Sequence, residues 1–245
     1  MPLLDDIKET GTNCPPPIVT VHGPAGSRKT QLAIDAKALI LQTEDGVGPR
    51  KAKALKIKTL AEFYATITEI ATTDHGFPAV ALDSLDHFAP IVAKHVCDAN
   101  GKPNLDAFGY GKGFEAEAEE WLKVFDFLIR LRNKKQIPII LIAHQAVRSV
   151  NDPTQSEPYD RYEPKLPKKV NAIVKELSDV LGCVTQVMHA KENDRGQTRM
   201  VGAGDFQLHV SQRPAYEAKN RYAINHPLPM TWEGIMAAIN KGINP

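Results

Sequence analysis

The sequence predicts an α/β fold: a mostly parallel sheet covered by helices on both faces, with a C-terminal β-hairpin extension. Three observations predict it. Four short apolar runs, "IVTV" at 18–21, "ALIL" at 38–41, "AVAL" at 79–82 and "IPIILIA" at 137–143, lack the polar alternation of strands wetted on one side. Segments of helical period separate them. The 245 residues, 42% hydrophobic and 24% charged, suffice for one sizeable core.

The elements follow in order. Residues 1–17 read as an N-terminal tail and 18–245 as one domain. The tail, "MPLLDDIKETGTNCPPP", has neither a basic start nor an apolar stretch, so a signal peptide is not expected. No apolar run approaches the roughly 18 residues of a membrane span, and a cytoplasmic protein is expected. The strand at 18–21 leads through a Gly-rich turn into a helix, Gln31 to Lys37. The second strand, 38–41, ends in "QTEDG". A helix from Leu60 to Ala71 places Leu60, Phe63, Tyr64, Ile67 and Ile70 on one face. The strand at 79–82 precedes a helix through Leu85, Phe88, Ile91 and Val92. The longest helix, Phe114 to Lys135, carries Trp121, Leu122, Phe125, Leu128 and Ile129 on one stripe. Glu115, Glu117, Glu119 and Glu120 open it and Arg130, Arg132, Lys134 and Lys135 close it, the order that suits the helix dipole.

Beyond the strand at 137–143 the texture changes. Residues 146–168, rich in Pro, Asp, Tyr and basic residues, read as a long loop of the functional kind. A helix from Lys169 to Leu181 is expected next. Residues 183–245 read as hairpins and a last helix: alternating strands near Val184–Ala190, Arg199–Val201 and Phe206–Val210, "ENDRG" as a turn, then a helix from Trp232 to Asn240.

A formal net charge of +1 provides no global field toward nucleic acid or membrane. Any contact with DNA must come from a local basic patch. Cys14, Cys97 and Cys183 are odd in number and far apart, which fits neither a disulfide framework nor a zinc site.

The chemistry concentrates at strand ends. "GPAGSRKT" resembles the phosphate-binding loop G-x-x-x-x-G-K-[ST], with Arg28 where the second glycine belongs. Gly23, Pro24, Ala25, Gly26, Ser27, Arg28, Lys29, Thr30 and Gln31 are the expected nucleotide contacts. Backbone N–H groups of such a loop face phosphates, Lys29 reaches the β- and γ-phosphates, and Thr30 holds Mg²⁺. Arg28 removes conformational freedom if its position requires it, and adds a guanidinium for phosphate or a partner. Asp83, ending the buried strand of "AVALDS", is placed to support the Mg²⁺ shell; Asp83 or Ser84 also suits an N-cap. Glu44 follows the second strand at the same edge, as a carboxylate to orient and deprotonate water, with Asp45 competing for the role. His144 and Gln145 end "IILIAHQ", and either is placed to sense the γ-phosphate. Between Arg148 and Lys175, basic residues (Arg148, Arg161, Lys165, Lys168, Lys169, Lys175) interleave with Tyr159 and Tyr162, a pattern of phosphate contact plus base stacking. Asp152, Glu157, Asp160 and Glu163 weaken the field there, so a solvated loop of mixed charge is the competing reading.

Taken together, "GPAGSRKT", "TEDG", "LDS", "GYGKG", "IAHQAV", "YDRYEP" and "AKNRY" resemble a RecA-type ATPase core. Specifically, they look like the phage RecA-like single-strand annealing recombinases of the Sak group, phage nucleotide-binding proteins of AAA type. The resemblance runs from about Ile18 to Trp232. It implies a RecA-like P-loop core using ATP and Mg²⁺, with Glu44 as catalytic glutamate and His144 or Gln145 as the switch residue. It puts DNA-binding loops at 100–113 and 146–168; Arg148, Tyr159, Arg161, Tyr162, Lys165, Lys168 and Lys169 become the candidate single-stranded-DNA contacts. Lys219 and Arg221 of "AKNRY" match a Lys-x-Arg finger that enters a neighbouring subunit's nucleotide site, which implies a homo-oligomer, ring or filament, with catalysis at its interfaces. A single-strand-binding protein is a further expected partner, and the location becomes the host cytoplasm. Arg28 departs from the pattern. The expected activity is DNA-stimulated ATP hydrolysis driving single-strand annealing, or strand exchange. The alternatives are a nucleotide-gated DNA-binding module with little turnover, and a helicase or helicase-loader ATPase; a small-molecule kinase lacks the expected arginine-rich lid.

Overall fold

The computed structural model describes residues 14–192 and 198–243. Six parallel strands form the centre of the sheet: β1 (Ile18–Gly23), β2 (Leu39–Gln42), β3 (Lys53–Lys56), β4 (Val80–Asp83), β5 (Ile139–Val150) and the first residues of β7 (Val180–Glu192). With β8 (Thr198–His209) and β10 (Leu228–Pro229) added, the order is β10-β8-β7-β1-β5-β4-β2-β3. Two strands lie off this path: β6 (Tyr159–Pro164) pairs with β5, and β9 (Lys219–Asn220) with β7.

Alternate residues of these apolar strands point to opposite faces. Ile18, Leu41, Val80, Leu82, Ile139 and Leu141 join one core cluster, and Val19, Val21, Ile40, Ala81, Ile140 and Ile142 the other. The first cluster is covered by α2 (Leu60–Thr72), α3 (Leu85–Ala99), α4 (Lys112–Lys135) and α5 (Lys168–Leu177). The second is covered by α1 (Lys29–Asp35) and α6 (Trp232–Ile243). Both faces are dry, which is why the strands read as continuous apolar runs. The largest side chains of the first face, Phe63, Phe88, Trp121 and Phe125, are fully buried, each contributing roughly 2–3 kcal/mol of transfer free energy. The start of α2 is fixed by a capping box between Thr59 and Glu62, a device worth about 1 kcal/mol.

Three expectations need correction. The segment 146–168 is not a structureless loop. β5 runs on to Val150 and pairs antiparallel with β6, Gln145 facing Pro164 and Val150 facing Tyr159. The helix after it stops at Leu177, because Ser178 and Asp179 turn the chain into β7. The strand expected near Val184 begins at Val180, pairs with β1, and only then continues as the hairpin arm with β8. β3, exposed along its length, went unanticipated because it has no apolar pattern. Residues 193–196 of the expected "ENDRG" turn lie outside the described residues.

Candidate nucleotide site

Parallel strands deliver their C-terminal ends to one edge of the sheet, where open α/β folds bind ligands. Here β1, β2, β4 and β5 bring Gly23, Glu44, Asp83 and His144 together. A cavity of about 330 Å³ at this edge is lined by the 25–30 turn and by Glu44, Gly46, Arg50, Asp83 and His144.

The turn after β1 is tight. A side chain at Gly23 would put its Cβ 2.8 Å from Val184 Cβ, so only glycine fits against β7. Arg28 holds the left-handed conformation, φ 62° and ψ 18°, so its position does require what glycine gives freely. An arginine there costs about 1–2 kcal/mol. Its side chain leaves the cradle: the guanidinium donates to Gly204 O at 3.5 Å and lies 5.9 Å from the centre of the Phe206 ring.

Lys29 fills the cradle instead. Its Nζ donates to Gly23 O (2.9 Å), Pro24 O (2.7 Å) and Ser27 Oγ (3.3 Å), and the residue is 6% exposed. Burial lowers its pKa, opposed by Asp83, Asp86 and Glu44. Among the described residues Lys29 makes no ion pair, so a buried ammonium is held without a contacting anion. Thr30 donates its hydroxyl to Asp83 Oδ2 at 2.7 Å. Asp83 is 1% exposed, and burial raises its pKa despite that bond. The Asp83–Ser84 peptide is cis. A cation held by backbone carbonyls, beside a hydroxyl and a carboxylate, is a donor set that fits a phosphate chain with Mg²⁺.

Glu44 rather than Asp45 faces the cavity; Asp45 is exposed and pairs with Lys56 at 3.1 Å. Glu44 Oε2 lies 3.2 Å from His87 Nδ1. His144 lines the cavity, whereas Gln145 sits in the β5–β6 ladder. Asp86 fixes His144 twice, accepting its main-chain N–H at 2.9 Å and its ring Nδ1 at 3.0 Å. Burial pulls against ionisation of Asp86, but those two bonds and the nearby histidines hold its pKa below the usual carboxylate range. Gln31 turns along its helix to Asp35 at 2.8 Å and not toward the cavity. Ser84 occupies the N-cap position of α3, but its Oγ bonds His87 Nδ1 at 2.9 Å and caps no N–H.

Three further site residues were given no role by the sequence, Gly46 appearing there only as the last letter of "TEDG". A Cβ at Gly46 would come within 3.2 Å of Asp83 Oδ2 and 3.3 Å of Thr30 Oγ1, so any larger residue there would press the pair aside by a few tenths of an ångström. Arg50 ties that loop, donating to Gly46 O and, at 2.9 Å, to Val47 O. His87 enters from the first turn of α3.

The expected DNA contacts divide. Arg161 is committed to buried acids, with Nε 2.9 Å from Glu163 Oε1 and NH2 3.8 Å from Glu217 Oε1. Lys169 pairs with Glu115, and Arg148 donates to Leu166 O and lies 3.7 Å from Glu163. Lys165, Lys168 and Tyr162 are exposed, and Tyr159 is half-buried. Lys219 and Arg221 sit at the opposite edge of the sheet. Lys219 Nζ donates to Lys175 O and Glu176 O, both at 2.7 Å, and Arg221 NH1 pairs with Asp179 Oδ1 at 2.8 Å. Asp179 also accepts from Ile18 N at the start of β1. The length of β1, roughly 17 Å, therefore separates this pair from its own phosphate turn.

These features define a nucleotide-type site on a mostly parallel α/β sheet. A family model described as an AAA domain matches residues 16–222, and the chain belongs to that family. Among solved structures, the "Crystal structure of the RadB recombinase" is similar at 15% identity and a TM-score of 0.42, covering 84% of this chain and 92% of that one. No curated protein matches.

Proposed function

We propose that the protein is an ATP-dependent, single-stranded-DNA-binding recombination protein, built on a RecA-like core, that promotes strand annealing or strand exchange as a homo-oligomer. The observation that carries this reading is that the nucleotide-type cavity sits at the root of the β5–β6 ribbon. His144 lines the cavity, and its carbonyl accepts from Lys165 N at 2.8 Å.

In this reading the 23–31 segment binds the phosphates. Lys29 exchanges its loop carbonyls for phosphate oxygens, and Thr30 and Asp83 hold Mg²⁺. Bound Mg-ATP supplies the phosphoanhydride bond to be cleaved. Glu44 takes the proton of the attacking water, with His87 orienting its carboxylate. A hydrogen bond to His144 bears on a strand end that Asp86 clamps, so it reaches Lys165 and the ribbon without an intervening flexible segment. Lys165, Lys168 and Tyr162 then meet the strand, with Arg148 midway along the ribbon and Tyr159 at its far end. ATP binding favours the state that holds DNA, and hydrolysis releases it. Lys219 and Arg221 serve a neighbour's nucleotide, and a single-strand-binding protein delivers the DNA.

The test is ATP turnover with and without single-stranded DNA, and DNA affinity with and without ATP, in the wild type and Lys29→Ala. DNA is expected to raise turnover and ATP to tighten DNA binding, with both effects absent in Lys29→Ala. Turnover indifferent to DNA, with DNA affinity indifferent to ATP, refutes the coupling.

A further inference from the structure

We propose that Glu44, His87 and His144 bind one borderline divalent ion of the Zn²⁺ type, at a position distinct from the hard-cation pair Thr30 and Asp83. One carboxylate oxygen and one ring nitrogen from each histidine lie within 4.8 Å of one another. Ligand atoms around a tetrahedral zinc stand roughly 3.4 Å apart, and Glu44 Oε2 and His87 Nδ1 are already at 3.2 Å. Modest side-chain rotation closes the set.

The surroundings favour an ion over a simple ion pair. His87 Nδ1 is ringed by Ser84 Oγ at 2.9 Å, Glu44 Oε2 at 3.2 Å and Asp86 Oδ2 at 3.3 Å. One N–H satisfies one of these oxygens at a time. Asp86 holds Nδ1 of His144 and so leaves Nε2 free to ligate. A buried carboxylate fixing the far nitrogen of a histidine is the support that metal-binding imidazoles use. Two imidazoles and one carboxylate select Zn²⁺, Co²⁺ or Ni²⁺ over Mg²⁺, and two of the three ligands, Glu44 and His144, line the cavity. The three ligands come from three elements: the loop after β2, the first turn of α3 and the middle of β5, where its pairing with β1 ends. A bound ion therefore ties the cavity wall together. It also engages Glu44 and His144, so it suppresses ATP turnover; that consequence rests on the proposed function, whereas the binding does not.

The test uses the nucleotide-free full chain, with excess Mg²⁺ present throughout. Zn²⁺ is titrated calorimetrically into the wild type and His87→Ala, and Co²⁺ is added while the imidazole resonances are followed by NMR. One Zn²⁺ per chain is expected, bound at least tenfold more weakly by His87→Ala, with Co²⁺ broadening His87 and His144 but not His226. Equal affinity in the two proteins, or no selective effect of Co²⁺ on His87 and His144, overturns the proposal. The Co²⁺ measurement needs no variant. ATP binding on the same samples separates the two readings: a protein that binds ATP but shows no selective Co²⁺ effect loses only the zinc site, and one that shows the Co²⁺ effect but binds no ATP loses only the nucleotide reading.

Discussion

Thr30 and Asp83, 53 positions apart, meet through a 2.7 Å hydrogen bond that joins the helix after the phosphate-type turn to the end of β4. β5 lies between their strands in the sheet, so the bond bridges over it at the ligand edge. The carboxylate is buried beneath Gly46 and its ionised form is penalised by burial. A group that lowers ligand-free stability and remains in place is one awaiting a counter-charge. Asp83→Asn keeps an acceptor for Thr30 and removes the buried charge. The ligand-free variant is expected to gain about 1 kcal/mol in denaturant unfolding, and to lose at least tenfold in Mg²⁺-dependent ATP affinity. A destabilised variant, or an unchanged Mg²⁺ dependence, contradicts this account.

Arg28 poses the opposite case. The backbone already takes the left-handed turn, and the guanidinium lies on Phe206 and not over the cradle. Arg28→Gly relieves about 1–2 kcal/mol of backbone strain, but gives up roughly 0.5–1 kcal/mol of cation–π contact and restores about as much chain entropy to the unfolded state. These offset, so stability should shift by less than about 1 kcal/mol. Turnover should change by less than about threefold, since the loop geometry is the same. A sharp rise in hydrolysis would show that Arg28 holds the site off.

The sequence carried the strand ends well and the ribbon poorly, for a physical reason. Buried parallel strands must be apolar on both sides, so Gly23, Asp83 and His144 could be placed at one edge from hydrophobic runs alone. The β5–β6 ribbon buries no apolar face: Val147 and Tyr162 are exposed on one side, and the other is covered through paired charges, Arg161 with Glu163. No apolar period marks such a strand. Glu44 and Asp45 were equivalent in the sequence; the pairing of Asp45 with Lys56 across β2 and β3 separates them. Gly46 matters through its closeness to Thr30 and Asp83, far from it in the chain, which local pattern does not encode; Arg50 acts on carbonyls of its own loop, whose importance shows only once that loop lies against the pair.

Arg161 and Lys165 test the ribbon. Arg161→Ala leaves buried Glu217 with Lys175 at 2.8 Å but strips buried Glu163 of its close cation, leaving only Arg148 at 3.7 Å. It is expected to cost roughly 3 kcal/mol in unfolding free energy, which makes its DNA phenotype a folding phenotype. Lys165→Ala removes an exposed charge and should leave stability within about 0.5 kcal/mol. Its single-stranded-DNA affinity should fall, and the salt dependence should drop by about 0.7 in log–log slope. An unchanged slope would take Lys165 off the DNA path.

His22 makes the fold acid-sensitive. It is fully buried on β1, and its Nε2 donates to Glu217 O at 2.9 Å while Nδ1 has no partner among the described residues. Burial lowers its pKa from 6.5 to about 4. The unfolded chain therefore takes up a proton at higher pH than the folded one. Stability is lost as pH falls from about 6.5 toward 4, by on the order of 3 kcal/mol. His22→Gln does not titrate, and its unfolding free energy should be flatter over that window than the wild type's. Equal slopes would mean that other groups govern the acid limb.

Arg221 can be tested cleanly because its removal should not harm the fold. Its side chain is half exposed, and without it Asp179 still pairs with Arg132 at 3.3 Å and accepts from Ile18 N at 2.9 Å. A screened pair of this kind contributes about 1 kcal/mol or less. Within one chain, Arg221 lies at the wrong edge of the sheet to reach the nucleotide cavity. If it acts on phosphate, it acts on a neighbour's. Arg221→Ala is then expected to bind ATP and lose most turnover, and Lys29→Ala to lose both. In an equal mixture, about a quarter of head-to-tail interfaces pair an intact Lys29 with an intact Arg221, and turnover should return in that proportion. A mixture as inactive as its parts, or an Arg221→Ala protein with full turnover, would leave the residue as the clamp on Asp179 that its own chain displays.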